Sequence, residues 1–215
     1  MAQNKDIREI IESARVKYAP DTRIEVFNIK SYRQKDTLIL KGETTHSAAY
    51  DEVLSKAKKL FPRVKDSIRL LPDKKIGEKT WGIIYNSTGT MYRNPKHGTE
   101  IVSQALLGTP VRILDKRGSW RRIQTPDKYI GWVNGSVEPM TKADLQEYLQ
   151  QPTIIVTSLY AISYEKPNAK SQSVSDLVAG DMLIVKDRKR KFHHVVYPDG
   201  REAYVSKTDA QPFEK

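Results

Sequence analysis

Cysteine is absent from this 215-residue sequence, which removes thiol nucleophiles, disulfides and thiolate metal sites together. Long apolar runs are missing too. Stretches such as Ile154-Ile155-Val156 fall far short of the roughly 20 residues a membrane-spanning helix needs. Residues Met1 to Asp6 lack the apolar core of a secretory signal, which leaves two expectations: a cytoplasmic protein, or a mature chain already trimmed. Histidine is scarce, and none of His46, His97, His193 and His194 stands in a zinc or triad spacing. His193 and His194 are neighbours on a predicted strand, so they point to opposite faces and do not converge on one ion. No Gly-rich phosphate loop or serine nucleophile elbow occurs. Asp115, Asp127 and Asp199 fall at predicted turns, where Asp is favoured for backbone reasons. The sequence therefore predicts no active site within these residues, no metal and no cofactor.

Basic charge is plentiful. Lys and Arg outnumber Asp and Glu by 37 to 26, a net +11 that attracts anionic partners over long range. Nucleic acid, an anionic membrane face and cell-wall carboxylates are all candidates. The charge is spread along the chain except for one dense run, Lys186 to Lys191, which reads as a solvated hairpin tip. With 38% hydrophobic and 29% charged residues, the chain has enough apolar material for one to three small cores.

Sliding the sequence over itself by 72 residues pairs Tyr92 with Tyr164, Pro95 with Pro167, Val102-Ser103 with Val174-Ser175, and Gly108 with Gly180. The match runs on without a gap through Asp115 and Asp187, Pro126-Asp127 and Pro198-Asp199, and Val133 and Val205. Ten of the 52 pairs between Gly82 and Val133 are identical, against roughly three for unrelated sequence of ordinary composition. The chain thus contains two copies of one module. Within a copy, short alternating runs such as Val111-Arg112-Ile113 are punctuated by Gly118-Ser119 and by Thr125-Pro126-Asp127-Lys128, and copy two keeps the latter turn as Tyr197-Pro198-Asp199-Gly200. About 60 residues are too few for a sandwich, so a five-stranded barrel is predicted.

The order Tyr92-Arg93-Asn94-Pro95, Val102 to Gly108, Thr109-Pro110-Val111, Gly118-Ser119-Trp120, then Tyr129-Ile130-Gly131-Trp132-Val133, resembles the bacterial SH3 family. Copy two resembles it more loosely, because the terminal Gly-Trp becomes Ala203-Tyr204 and the Gly-Ser before the aromatic becomes Arg190-Lys191. The resemblance implies binding of peptidoglycan stem peptides. Paired bacterial SH3 domains of this kind commonly precede the catalytic domain of NlpC-type cysteine peptidases, which cut γ-D-glutamyl-diamino acid bonds. The catalytic domain would then lie beyond position 215, and this chain would be its non-catalytic accessory part in the cell envelope or periplasm.

The first 72 residues differ in character. Ile7, Ile10, Ile11 and Ala14 recur at helical spacing; Ile24 and Val26 flank Glu25, and Leu38 and Leu40 flank Ile39, as in strands. A second helix is predicted from Ser47 to Leu60 and a third strand from Ser67 to Leu71. This αββαβ order, with Leu38 to Gly42 ahead of a helix, is similar to the BON family of small envelope domains. Pro72 to Lys79 reads as a linker. Thr141 to Asp144 resembles a capping box that starts a short helix to about Leu149. The prediction is an α+β chain with a BON-like domain at 1–72, a barrel at 80–140 and a second barrel at 152–213.

Aromatic residues give the functional signal. If Ile123 and Val133 fill the first core, alternation turns Trp120 and Trp132 toward the surface. The same alternation would push Arg121 inward, which calls for a bulge or strand start beside it. Tyr92, Trp120 and Trp132, with their counterparts Tyr164, Phe192 and Tyr204, are the candidate ligand-binding residues; core packing is the equal alternative. Arg117, Arg122, Arg188 and Arg190 are the candidates for an anionic partner. Two other functions fit the composition: a basic SH3-like nucleic-acid binder using these arginines and the lysine-rich run, and a structural spacer for protein docking.

Overall fold

The computed structural model describes residues 2–213, leaving aside the side chains of residues 2–5 and 188. The fold is α+β. Two compact units divide the chain between Lys75 and Ile76, with residues 128–130 grouped with the first.

The first unit runs α1 (Ala2–Tyr18), β1 (Phe27–Gln34), β2 (Thr37–Thr44), α2 (Ser47–Leu60) and β3 (Val64–Leu70). β1 and β2 form an antiparallel hairpin, and α2 carries the chain across to lay β3 parallel to β2, so β2 is central. Alternation sorts the strand residues between two faces. Ile29, Leu38 and Leu40 pack against Ile7 and Ala14 of α1 and Val53, Ala57 and Phe61 of the α2 end. Lys30, Lys41 and Lys65 lie on the other face, open to solvent. Gly42, at φ +142°, is required: a Cβ there would stand 1.8 Å from the Asn28 carbonyl oxygen across the hairpin.

Two predicted edges move. Ile24-Glu25-Val26 does not belong to a strand. Asp21 gathers the segment into a turn, accepting from the Arg23 amide at its side chain and from the Ile24 and Glu25 amides at its carbonyl. β3 begins at Val64 rather than Ser67, because its parallel register with β2 opens at Leu38 opposite Val64.

The second unit holds two sheets of one design. In the first copy β4 (Trp81–Ile84), β5 (Thr88–Tyr92), β6 (Ile101–Leu106), β7 (Pro110–Arg117), β8 (Trp120–Gln124), β9 (Ile130–Asn134) and β10 (Val137–Met140) follow the order β10-β4-β7-β8-β9-β5-β6. After α3 (Lys142–Gln150), the second copy has β11 (Thr153–Val156), β12 (Tyr160–Tyr164), β13 (Ser173–Val178), β14 (Met182–Arg188), β15 (Phe192–Val196), β16 (Glu202–Ser206) and β17 (Ala210–Phe213). Its order, β17-β11-β14-β15-β16-β12-β13, is the same strand for strand. Each copy therefore has seven strands rather than five. The additional outer strand β10 lies against β4 because Gly82 has no Cβ; one would meet Val137 at 2.5 Å. Pro139 is tolerated there since β10 is a sheet edge.

Each sheet wraps its own core. Ile84, Met91, Val111, Ile113, Ile123 and Val133 fill the first; Ile154, Leu177, Leu183, Val195, Tyr197 and Val205 fill the second. Leu107, contributed by the first copy, is fully buried in the second copy's core. Such burial stabilises by about 2 kcal/mol. Thr141 caps α3 as the sequence predicts, its hydroxyl accepting from the Asp144 amide while the Asp144 carboxylate accepts from the Thr141 amide. Among the described residues no helix is long and apolar enough to cross a membrane, and no cluster of His, Asp and Glu could hold a metal ion.

Candidate functional site

Three aromatic rings meet on the first barrel. Tyr92 ends β5, Trp120 opens β8, and His97 comes from the loop between β5 and β6. The Tyr92 and Trp120 rings meet edge to face at 5.6 Å, His97 lies 4.8 Å from Trp120 and 5.7 Å from Tyr92, and Asn134 holds the His97 Nε2 at 3.0 Å. Tyr92 and Trp120 are half-buried, so each offers an edge or face to solvent. His97 was not among the residues that the sequence singles out. Its place depends on how the β5–β6 loop folds back, and residue spacing carries no trace of that.

Trp132 does not lean to the surface as alternation predicts; it is only 2% exposed. It does face away from Val133, but the guanidinium groups of Arg117 and Arg122 stand over its ring, 5.1 and 5.4 Å from the ring centre. Long basic side chains cover an aromatic with their stems while the charged heads stay wet, and the ring quadrupole attracts the cations. Asp115, fully buried, lies 3.8 Å from the Arg117 Nε and pins that head from behind. Trp132 is therefore a platform that fixes two cations beside the Tyr92–His97–Trp120 cluster, since Tyr92 is the register partner of Trp132.

Local sequence explains the placement. Gly131 precedes the tryptophan because a Cβ there would press on Met91 at 2.9 Å and Val102 at 3.0 Å. The irregularity anticipated beside Arg121 exists, but on the partner strand: the β7–β8 register shifts between Ile113 and Asp115, placing the extra residue at Leu114.

The second copy assembles a thinner version. Tyr204, the counterpart of Trp132, is stacked by His194 at 4.6 Å and 12°, and His194 stands where the first copy has Arg122. The His194 Nε2 lies 2.8 Å from Glu202, which also takes the Lys186 ammonium at 2.6 Å and is held below the usual carboxylate range chiefly by that lysine. Tyr164 and Phe192 are half-buried, and Ala169 stands where the first copy has His97. Arg190 is exposed in the β14–β15 turn, where the lysine-rich run forms a hairpin and Lys189 pairs with Asp187. The side chain of Arg188 lies outside those described. The structure thus groups Tyr92, Trp120, Trp132, Arg117 and Arg122 on the first copy; on the second, Tyr164 is the register partner of Tyr204, while Phe192 starts β15 opposite Ser206.

The family model for the SH3 domain of bacterial dipeptidyl-peptidases matches residues 91–136. Those residues are similar to bacterial SH3 domains of the dipeptidyl-peptidase type. The segment contains Tyr92, His97, Arg117, Trp120, Arg122 and Trp132, so the matched SH3 domain carries the whole aromatic and cationic cluster. Over 121 residues the chain is 26% identical to a γ-D-glutamyl-L-lysine dipeptidyl-peptidase of Bacillus cereus, a match covering 53% of this chain and 36% of that protein. A crystal structure of an NlpC/P60 family protein from Bacillus cereus superposes with a TM-score of 0.53 at 20% identity, over 63% of this chain and 57% of that one, a likeness of fold. The chain matches only about a third of the length of the curated peptidase.

Proposed function

We propose that this chain is a non-catalytic region of a bacterial cell-envelope protein that binds or positions peptidoglycan stem peptides, working beside a cysteine-peptidase domain that cuts γ-D-glutamyl-diamino acid bonds. The single observation that carries this reading is the cluster in the matched SH3 domain: two guanidinium heads fixed over Trp132 next to the Tyr92–His97–Trp120 rings. Stem peptides present carboxylates spaced along a flexible backbone. Guanidinium groups bind carboxylates through paired charge-assisted hydrogen bonds, and heads already held in place lose less freedom on binding. The aromatic edges supply rigid apolar contact for the short alkyl parts of such a peptide. The chemistry of cleavage has to come from elsewhere, since no cysteine is available in these residues. The αββαβ unit is assigned on the same reading as a BON-like envelope module.

Calorimetric titration with an L-Ala-γ-D-Glu-L-Lys peptide tests the proposal. Binding should weaken about tenfold or more in the Arg117→Ala/Arg122→Ala variant, the loss expected for charge-assisted contacts worth ~1.5–3 kcal/mol. Titration of the same protein with DNA and RNA at two salt concentrations separates the nucleic-acid reading. Strong, salt-sensitive retention of nucleic acid with no response to the wall peptide sinks the proposal.

A further inference from the structure

The open face of the β1-β2-β3 sheet belongs to no part of the site above. Its residues follow from register alone: Lys30 pairs with Lys41 and Lys41 with Ser67, while in the next row Tyr32 pairs with Ile39 and Ile39 with Lys65. These side chains, with Asn28, line a shallow hollow of about 610 Å³. Tyr32 is 51% exposed, and Lys30, Lys41 and Lys65 are exposed. The cations are uncompensated. Glu43, at the end of the face, is engaged by Arg69, which also takes Asp73. Asp66 belongs to the other face and accepts from the Tyr50 hydroxyl and the Ile68 amide. Among the described residues no ion pair takes up Lys30, Lys41 or Lys65.

Three like charges on one small face repel one another, so the arrangement raises the free energy of the unbound protein and lowers it when an anion arrives. The rows fix the ligand's shape. Neighbouring strands lie about 4.8 Å apart and alternate residues along a strand about 6.7 Å apart. A chain bearing an anionic group every few atoms meets Lys30 and Lys41 in one row and Lys65 in the next. Ammonium groups act as compact point charges that suit tetrahedral phosphate without demanding a planar fork. Ser67 places a neutral donor beside Lys41 and Lys65, and Asn28 places another in the row beyond Lys30. We propose that this sheet face binds a base-free phosphodiester polymer, of the glycerol-phosphate kind, lying across the three strands.

Two other anionic partners fit less well. Single-stranded nucleic acid is held by successive stacking aromatics, and this face offers only Tyr32. A membrane surface calls for a protruding apolar patch, whereas this face is hollow and its aliphatic content is the half-buried Ile39.

The test is a titration of the isotope-labelled full chain with a short oligo(glycerol phosphate), read by backbone amide shifts. The expected result is a response confined to β1, β2 and β3. In Lys30→Ser/Lys41→Ser/Lys65→Ser the affinity should drop about a hundredfold and the dependence on salt should flatten, as expected when several phosphate contacts are removed. Should that variant fail to fold, Lys41→Ser alone, which changes one exposed side chain, should still weaken binding several-fold. Absence of a response, a response mapped to the barrels, or equal affinity of the lysine variants overturns the proposal. So does equal or tighter binding of an oligonucleotide of the same length, or binding to phosphatidylglycerol vesicles without binding to the oligomer. A failed titration with wall peptide would leave this result untouched, because the two sites share no residue.

Discussion

Trp132 shows how one residue changes meaning between sequence and structure. Alternation correctly turns its side chain away from Val133, yet two arginines close over it, so it is buried like a core residue while the proposed site uses it as the support for those cations. Strand periodicity reports which face a side chain takes; it is silent about long basic neighbours that can fold back and cover it. Removing the ring should therefore do two things. Trp132→Ala is expected to lower stability by about 3–5 kcal/mol, the range for a large buried aromatic, and to release the Arg117 and Arg122 heads. Urea denaturation measures the first effect, and titration with wall peptide under folding conditions measures the second. Unchanged stability would mean that the ring is not packed as described. A similar exchange runs through the core. Where the first copy sets Met91 against Gly131, the second has Ser163 and Ala203, and Tyr197 fills the vacated space with its hydroxyl 2.8 Å from the Ser163 Oγ. Side-chain volume given up at one position is supplied from another.

Strands repeat more faithfully than residues do. β4, β5, β6, β8 and β9 reappear at an offset of 72 as β11, β12, β13, β15 and β16 with identical ends, β7 reappears as β14 one residue shorter at its end, and the later edge β10 slips by one residue to β17. The register irregularities repeat too: Ile113/Asp115 becomes Val185/Asp187, and Met91/Tyr92 becomes Ser163/Tyr164. That fidelity is why the duplication was legible from a modest set of identities, as was α2 to the residue, since Ser47 to Leu60 is bounded by an extended residue and by Pro62. The edge strand β10 and its neighbour β4 were not legible. Each is four residues long, one contains Gly82 and the other Pro139, and both residues argue against a strand until their partner is known. The short helix α3 was read from its cap alone, and it gives a direct test. Thr141→Ala removes the hydroxyl that accepts from the Asp144 amide, and should cost about 1 kcal/mol, while Thr141→Ser should cost little. Equal urea midpoints for Thr141→Ala and the parent would show that packing of Leu145, not the cap, holds this helix.

Seen as one body, the second unit is a pair of barrels joined through equivalent turns. Gly108 and Gly180 occupy the same place in the two copies, and each faces the other barrel: a Cβ at Gly108 would meet the Met182 carbonyl at 2.5 Å, and one at Gly180 would meet Leu106 at 2.8 Å. The Met182 amide donates to the Leu107 carbonyl, and the Ser87 hydroxyl donates to Asp176 at 2.8 Å. Asp181 lies at the centre of this joint with no exposed surface, its carboxyl accepting from the Leu107 amide of one barrel and the Val178 amide of its own. Burial, with a smaller contribution from the nearby Asp176 charge, pushes Asp181 up to about 7 against the help of those two amides. A carboxyl whose folded pKa is raised binds its proton more tightly folded than unfolded. It therefore contributes stability that is complete below the unfolded value near 3.9 and is lost as pH climbs through about 7. The joint should loosen on the alkaline side. The informative quantity is the difference between the parent and Asp181→Asn, whose side chain stays neutral throughout. Urea unfolding at pH 5 and pH 8 should show the parent losing stability relative to Asp181→Asn by an amount on the order of 1 kcal/mol or more, the size of a one-unit pKa change. Parallel pH profiles for the two proteins would place the proton elsewhere and leave the joint indifferent to pH.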